Sequence, residues 1–377
     1  MTIAPPRKST RTKVTGRPLL YTSYRAEMAL LNTTTKRVMV GLLLLVAAVA
    51  PFFLLDKDLR LLSIACATAI GAIGLGLVTG YAGQVSLGHA FFIAVGAYTA
   101  SVISGNPDGR TLGLGVQEVL IWLPAAGIVA AIAGVIVAPL ATRLRGLYLA
   151  IVTLGLVFIA QYLWREWSDV TGGAGIGRPA PVPTLFGQRL DVAGTSFTGD
   201  QKLYWLALIA LVLFALAARN IARSRVGRAF TAIRDRDIAA GVMGVSLARY
   251  KTVAFGVSSF YAGCAGALIY AGRGVFVPET FSLEISVLYI AMVLVGGVGT
   301  ITGAILGAFF FTYLPTLTRL IPAEIISGSA TETPNVFQLQ NVLYGALIIL
   351  FLIFEPRGLF GIWIRVRNYW KSWPFTY

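Results

Sequence analysis

Acidic side chains are scarce in this chain: 16 Asp and Glu stand against 31 Lys and Arg among 377 residues, and histidine occurs once. Metal centres and hydrolytic triads need clustered carboxylates, histidines or cysteines, so this set leaves neither. Cys66 and Cys264 both fall inside apolar runs, where a thiol behaves as a small hydrophobe, and neither a disulfide nor a metal site is expected. The glycine-rich phosphate loop that ends in Lys and Ser or Thr is missing, so any ATP dependence must come from a partner. Charged residues make up only 12% of the chain and hydrophobic ones 56%. A soluble globular chain carries roughly 25% charged residues, so this one belongs in a membrane.

Long apolar runs take the place of the missing charge. Candidate spans fall near 38–55, 61–80, 82–104, 119–140, 146–164, 202–218, 251–272, 285–298, 300–314 and 336–355. All but the short pair at 285–314 are close to the ~20 residues a membrane helix needs. The expected fold is an all-α polytopic membrane protein of about ten transmembrane helices, its 41 glycines letting helices approach closely. The pair at 285–314 is joined at the turn Val295 to Thr300 and reads either as two crossings or as a re-entrant hairpin.

A net charge of +15 would point to nucleic acid in a soluble protein, but here its distribution matters more. Residues 1–37, the pair Arg143 and Arg145, residues 219–251 and residues 356–377 together hold 22 of the 31 basic residues. Basic loops mark the cytoplasmic side. With ten crossings all four clusters share that side, both termini are cytoplasmic, and the mixed-charge loop 165–201 faces outside. The organisation expected is a basic cytoplasmic leader at 1–37, a membrane domain at 38–362 and a cytoplasmic tail at 363–377. The run 38–55 reads as an uncleaved first span rather than a signal peptide, because the basic stretch before it is long.

Two polar segments interrupt the apolar pattern. The first, GYAGQVSLGHAFFIAVGAY at 80–98, gathers Gln84, Ser86 and the single His89 among glycines that include Gly83 and Gly88. Those three polar residues either line a pathway for a polar solute or hydrogen-bond between helices and hold a bend. With no Asp or Glu near the middle of a span, a lone His is thin material for a proton relay. The second segment, 219–251, is read as a cytoplasmic insertion containing a short amphipathic helix, with Ile238, Val242 and Val245 at helical spacing. It is either a solvated basic loop near anionic headgroups or a docking helix. For docking it offers Arg234, Asp235, Arg236 and Asp237 as a pattern of both signs and Ala239, Ala240 and Gly241 for close contact. Gly296 and Gly297 shape the later turn, and Gly299, Gly303 and Gly307 follow at a spacing of four suited to helix contact. A short echo, Tyr81-Ala82-Gly83 and Tyr261-Ala262-Gly263, hints at repeated halves.

Several long motifs in order then resemble the LivM-type permease family of branched-chain amino acid ABC importers. They are the 80–98 segment, RGLYLAIVTLG at 145–155, TGGAGIG at 171–177, AIRDRDIAAGVMGVSLARYK at 232–251, the stretch 278–308 and FEPRGLFG at 354–361. The resemblance covers roughly residues 61–362. It implies a subunit with no cofactor and no catalytic site of its own, paired with a paralogous permease subunit in the bacterial inner membrane. Two cytosolic ABC ATPases would bind ATP and Mg, and an extracytoplasmic binding protein would deliver the solute. It further implies that Ile233 to Gly244 contains the coupling helix, with Gly244 at its end. Two departures stand out: TGGAGIG lacks the acidic or Asn residue often found after its Gly pair, and the leader is longer than usual. Urea or short-amide importers of the same kind, an ATP-independent carrier and a membrane scaffold are the rival readings.

Overall fold

The computed structural model describes residues 34–144, 146–194, 197–318, 342, 345–346, 348–351, 353–355 and 358–372. Nearly all of the basic leader, Arg145, half of the expected span at 336–355 and the last five residues lie outside that set.

Two units are distinguished, residues 1–49 and 50–377. The described part of the first is one helix, α1, Thr34–Val49, apolar from Val38 onward. The second unit begins with α2, Asp56–Leu75, whose first turn carries Asp56 and Asp58 where a helix dipole favours negative charge. Its end widens into a π turn, Gly76–Tyr81. There follow α3 (His89–Ser104), α4 (Val119–Arg143), α5 (Leu147–Glu166), α6 (Gly199–Arg223), α7 (Arg225–Val242), α8 (Leu247–Tyr270), α9 (Leu283–Gly296), α10 (Ile301–Thr318) and α11 (Gly358–Ser372). Among the described residues six stretches are helical, long and apolar enough to cross a membrane: Asp56–Tyr81, Val119–Arg143, Leu147–Glu166, Gly199–Arg223, Leu247–Tyr270 and Pro278–Gly296. Three of the other expected spans are shorter apolar helices, and half of the tenth lies outside the described residues.

Small strands qualify the all-helical expectation. Arg178–Pro179 (β1) pairs antiparallel with Val275–Phe276 (β4), and Thr184–Leu185 (β2) with Gln188–Arg189 (β3). The β2–β3 turn is held by Glu118, whose carboxylate accepts from the Phe186 and Gly187 amides at 3.1 and 2.8 Å.

α8 is the hub, packed against α4, α3 and α2, and α2 in turn packs against α6 and α10. Small residues make this possible. The backbones of α3 and α8 touch where Gly96 meets Gly263, and Gly127 of α4 sits against Cys264. Helices in lipid gain nothing from hiding apolar surface from one another, so close van der Waals contact of this kind holds them. The glycine run near 300 divides its labour: Gly303 and Gly307 press on the Gly296 and Met292 backbones to bring α10 against α9, whereas Gly299 lies in the turn before α10 and is not on that face.

The helix ends sort into two groups. One, here the loop end, joins Arg60 to Asp200 at 3.1 Å, Arg165 to Glu279 at 3.3 Å and Gln161 to the Phe281 carbonyl at 3.3 Å. The other, the basic end, gathers Gly80, Gly299, Arg234 and the start of α11, where Gly358 lies against the Val295–Gly297 backbone. α9 thus starts at the loop end and finishes at the basic end, so its turn with α10 reaches the far side of the bundle. The Tyr-Ala-Gly echo marks no equivalence in local structure: residues 81–83 leave the π turn, while 261–263 are mid-helix in α8.

Candidate functional site

The first polar segment folds as a buried bend, and the expected helix 82–104 begins only at His89. Three glycines within nine residues, Gly80, Gly83 and Gly88, weaken the helix, and Gly83 takes the left-handed conformation at φ +67°. The chain unwinds from the π turn, with the Ala82 amide donating to Leu77 and the Gln84 amide to Val78. Gln84, Ser86 and His89 are all buried.

A helix that starts inside a bundle presents amides with no partner of their own. Here neighbouring helices supply them: the Leu87 amide donates to Thr153 Oγ1 of α5 at 2.9 Å, and the Ala90 amide to Ser286 Oγ of α9 at 2.9 Å. Ser86 accepts from the Gly88 amide at 3.4 Å, and Gln84 Nε2 donates back to the Ala82 carbonyl at 3.1 Å. His89 Nε2 lies 3.0 Å from the Gly71 carbonyl of α2. A carbonyl only accepts, so that nitrogen carries the proton. The Tyr289 ring packs on the imidazole at 4.8 Å between centroids and also fills the space over Gly71. Among the described residues no Asp or Glu is buried. Sequence reading picked out the three polar residues but missed Thr153, Ser286, Gly71 and Tyr289; a single hydroxyl inside an apolar run was the only signal for the first two.

The second polar segment is not a loop with a short helix. α6 continues to Arg223, and after a one-residue break at Ser224, whose hydroxyl accepts from the Val226 and Gly227 amides at 3.1 and 3.4 Å, α7 begins. α7 itself kinks at Arg236, where φ −155° and ψ 99° leave the helical region. Before the kink it is part of the bundle, with Gly227, Phe230 and Ile233 buried. Arg234 Nη1 donates to the Gly80 carbonyl at 2.9 Å, and its Nε pairs with Asp235 at 3.1 Å. After the kink only Ala240 is buried; Arg236, Ala239, Gly241 and Gly244 are exposed, Asp237 is half-buried, and Ile238 and Val242 are 70% and 83% exposed. Arg234 therefore faces the bend, while Ile238, Val242 and Met243 form an outward apolar face.

Turn glycines complete the basic end. Gly297 and Gly299 have positive φ, and a Cβ at Gly80 would lie 2.5 Å from the Gly299 nitrogen. Gly88 abuts Thr153 and Gly303 abuts the Gly296–Gly297 carbonyls.

At the loop end Arg178 is a functional candidate that no motif marks. It is 1% exposed, and its guanidinium donates to the carbonyls of Val170 at 2.6 Å, Ser101 at 2.7 Å and Leu112, tying together three segments. Burial lowers its pKa to about 10, still far enough above neutrality that it stays a cation at pH 7. Its Nε is buried without a partner.

The family model described as branched-chain amino acid transport system / permease component matches residues 59–352. The chain belongs to this family. It is similar to the high-affinity branched-chain amino acid transport system permease protein LivM of Salmonella typhimurium, 31% identical over 87% of this chain and 76% of the relative. The LivM protein of Escherichia coli shows the same identity and coverage. The permease is also 26% identical to the LivH protein of Escherichia coli, over 78% of this chain and 91% of that one. No solved structure matches it.

Proposed function

We propose that this permease is the membrane subunit of an importer for branched-chain, hydrophobic amino acids, and that it forms half of the translocation pathway. Family membership and the LivM likeness support the substrate class. The likeness to LivH as well supports a paralogous permease subunit as the other half. The chain crosses the bacterial inner membrane about ten times, with its basic end and both termini in the cytoplasm and its loop end outside.

One observation carries the mechanism: α7 is split at Arg236 into a half embedded in the bundle and a half that turns Ile238, Val242 and Met243 outward. An exposed apolar face bordered by charges of both signs fits a groove on a cytosolic protein. In this reading two cytosolic ATPases hold that half through Arg236, Asp237, Ile238, Ala239, Ala240, Gly241 and Gly244, while ATP and Mg belong to those partners. Their closure pushes α7, and Arg234 passes the movement to the π turn and the bend at 82–88. Gln84, Ser86 and His89 form the hinge of the pathway, and the bundle switches between inward-open and outward-open packings. An extracytoplasmic binding protein delivers the solute to the loop end.

The test is uptake of L-leucine into proteoliposomes holding the full assembly. ATP-dependent uphill accumulation is expected, competed by isoleucine and valine and not by urea or acetamide. Uphill accumulation by this chain alone, driven by an ion gradient, would place it among carriers instead.

A further inference from the structure

At the loop end the chain between α3 and α4, the stretch 176–182 and β4 enclose a cavity of about 400 Å³ that the mechanism above leaves unused. Its walls are largely apolar, from Ile176, Pro179, Val182 and Val275, with Asn106 and Gln117 as neutral polar groups. Two arginines, Arg110 and Arg178, complete the lining, and no acidic side chain takes part.

The arginines differ in what they have left to offer. Arg178 is buried and held by three backbone carbonyls, so it contributes a fixed positive charge. Among the described residues that charge pairs with no carboxylate. Arg110 uses only Nη2, which donates to the Gly172 and Gly177 carbonyls at 2.9 and 3.1 Å. Its Nε and Nη1 make no hydrogen bond among the described residues, and the side chain reaches solvent. An uncompensated buried cation is costly until an anion approaches, and a concave low-dielectric wall focuses its field on whatever enters. Ser104 Oγ, on another lining residue, is also buried without a partner.

We propose that this cavity is a binding site for a small carboxylate with an apolar body. Arg110 meets the carboxylate, and Ile176, Val182 and Val275 meet the branched chain. The importer reading supplies the identity of the natural ligand, the transported amino acid waiting on the outer face, and the proposal rests on it to that extent. With no acid in the lining, the site reads the carboxylate and gives the ammonium no counter-charge. The 2-oxo acid analogue should therefore bind as well as the amino acid, and the alcohol analogue should not.

The experiment is calorimetric titration of the full chain with its co-purifying subunits, in lipid nanodiscs and without any extracytoplasmic protein. The probes are L-leucine, 4-methyl-2-oxopentanoate and L-leucinol. Leucine and the oxo acid are expected to bind within a few-fold of each other, and leucinol about tenfold more weakly, the factor set by a charge-assisted hydrogen bond. R110Q should weaken the two carboxylates about tenfold, and R110K should recover most of the loss. Equal binding of leucinol to the unaltered protein, unchanged binding in R110Q, or no binding of any probe would each overturn the site. If docking of an extracytoplasmic protein depends on Arg110 while the small probes fail, the carboxylate belongs to a protein side chain and the proposal is wrong. Leucine uptake by the assembly is measured separately: carboxylate binding without uptake sinks the importer reading and leaves the site standing, and uptake without carboxylate binding does the reverse.

Discussion

Arg234 and Gly80 are joined by a hydrogen bond of 2.9 Å from the guanidinium to the carbonyl, across 154 positions of sequence. The arginine lies over two more backbone positions, since a Cβ at Gly83 would meet its Cα at 3.0 Å and one at Gly299 would meet its Nη1 at 3.3 Å. Three glycines thus bring the bend and the α9–α10 turn under one side chain of α7. In R234A the assembly should form and hydrolyse ATP while leucine uptake falls about tenfold, the scale of one charge-assisted hydrogen bond. R234K keeps the charge but not the planar fork, and should recover only part. Uptake at the unaltered rate in R234A would show that α7 does not act through the bend.

Gly241 tests the other half of α7. It is exposed, and the nearest atom to an added Cβ is Leu247 Cδ1 at 3.8 Å, so this chain can accept a side chain there. Replacing an exposed helical glycine tends to stabilise a helix by about 0.5–1 kcal/mol. Gly241→Trp is therefore expected to leave the melting temperature of the isolated subunit unchanged or slightly raised, while ATP-driven uptake is lost. Normal uptake would mean that no partner presses on this surface.

Much of this was legible in the sequence, and the misses have physical causes. Apolar runs at 119–140, 202–218 and 251–272 became α4, α6 and α8 because hydropathy alone identifies a helix that must satisfy its backbone within lipid. The polar segment at 80–98 allowed a bend, but hydropathy still started a helix at 82, since it does not register whether backbone amides find helical partners or the hydroxyls of Thr153 and Ser286. The basic count flagged 219–251 but could not tell Arg234, which reaches the Gly80 carbonyl, from Arg236 at the kink. Arg178 was counted among the charges of an outer loop, and only the tertiary structure shows it buried.

Gly83 and Gly155 make a matched pair. Gly83 stands at φ +67° against Arg234, whereas nothing lies within 4 Å of a Cβ at Gly155 in α5. Gly83→Ala should destabilise the protein by about 1–3 kcal/mol, the usual penalty of a left-handed residue with a side chain, and reduce uptake as R234A does. Gly155→Ala should change stability by less than about 1 kcal/mol, in the favourable direction. Thermal unfolding in one detergent compares them, and similar losses in both would show that the bend is not specifically constrained.

His89 separates an ATP-driven permease from a proton-driven carrier. Its ring is enclosed by Tyr289 and Gly71, and among the described residues no buried carboxylate is present to pass it a proton. A side chain that only donates to the Gly71 carbonyl can be replaced by another donor. His89→Gln is therefore expected to keep leucine uptake within about fivefold of the unaltered protein, the range covered by a net hydrogen bond of ~1 kcal/mol. The ratio should stay constant between about pH 5.5 and 8, the interval in which an ordinary histidine changes charge. A protonophore should not abolish uptake while ATP is maintained. Loss of transport in His89→Gln together with protonophore sensitivity would make this imidazole a proton carrier, and the lever at α7 would then have to be assigned another purpose.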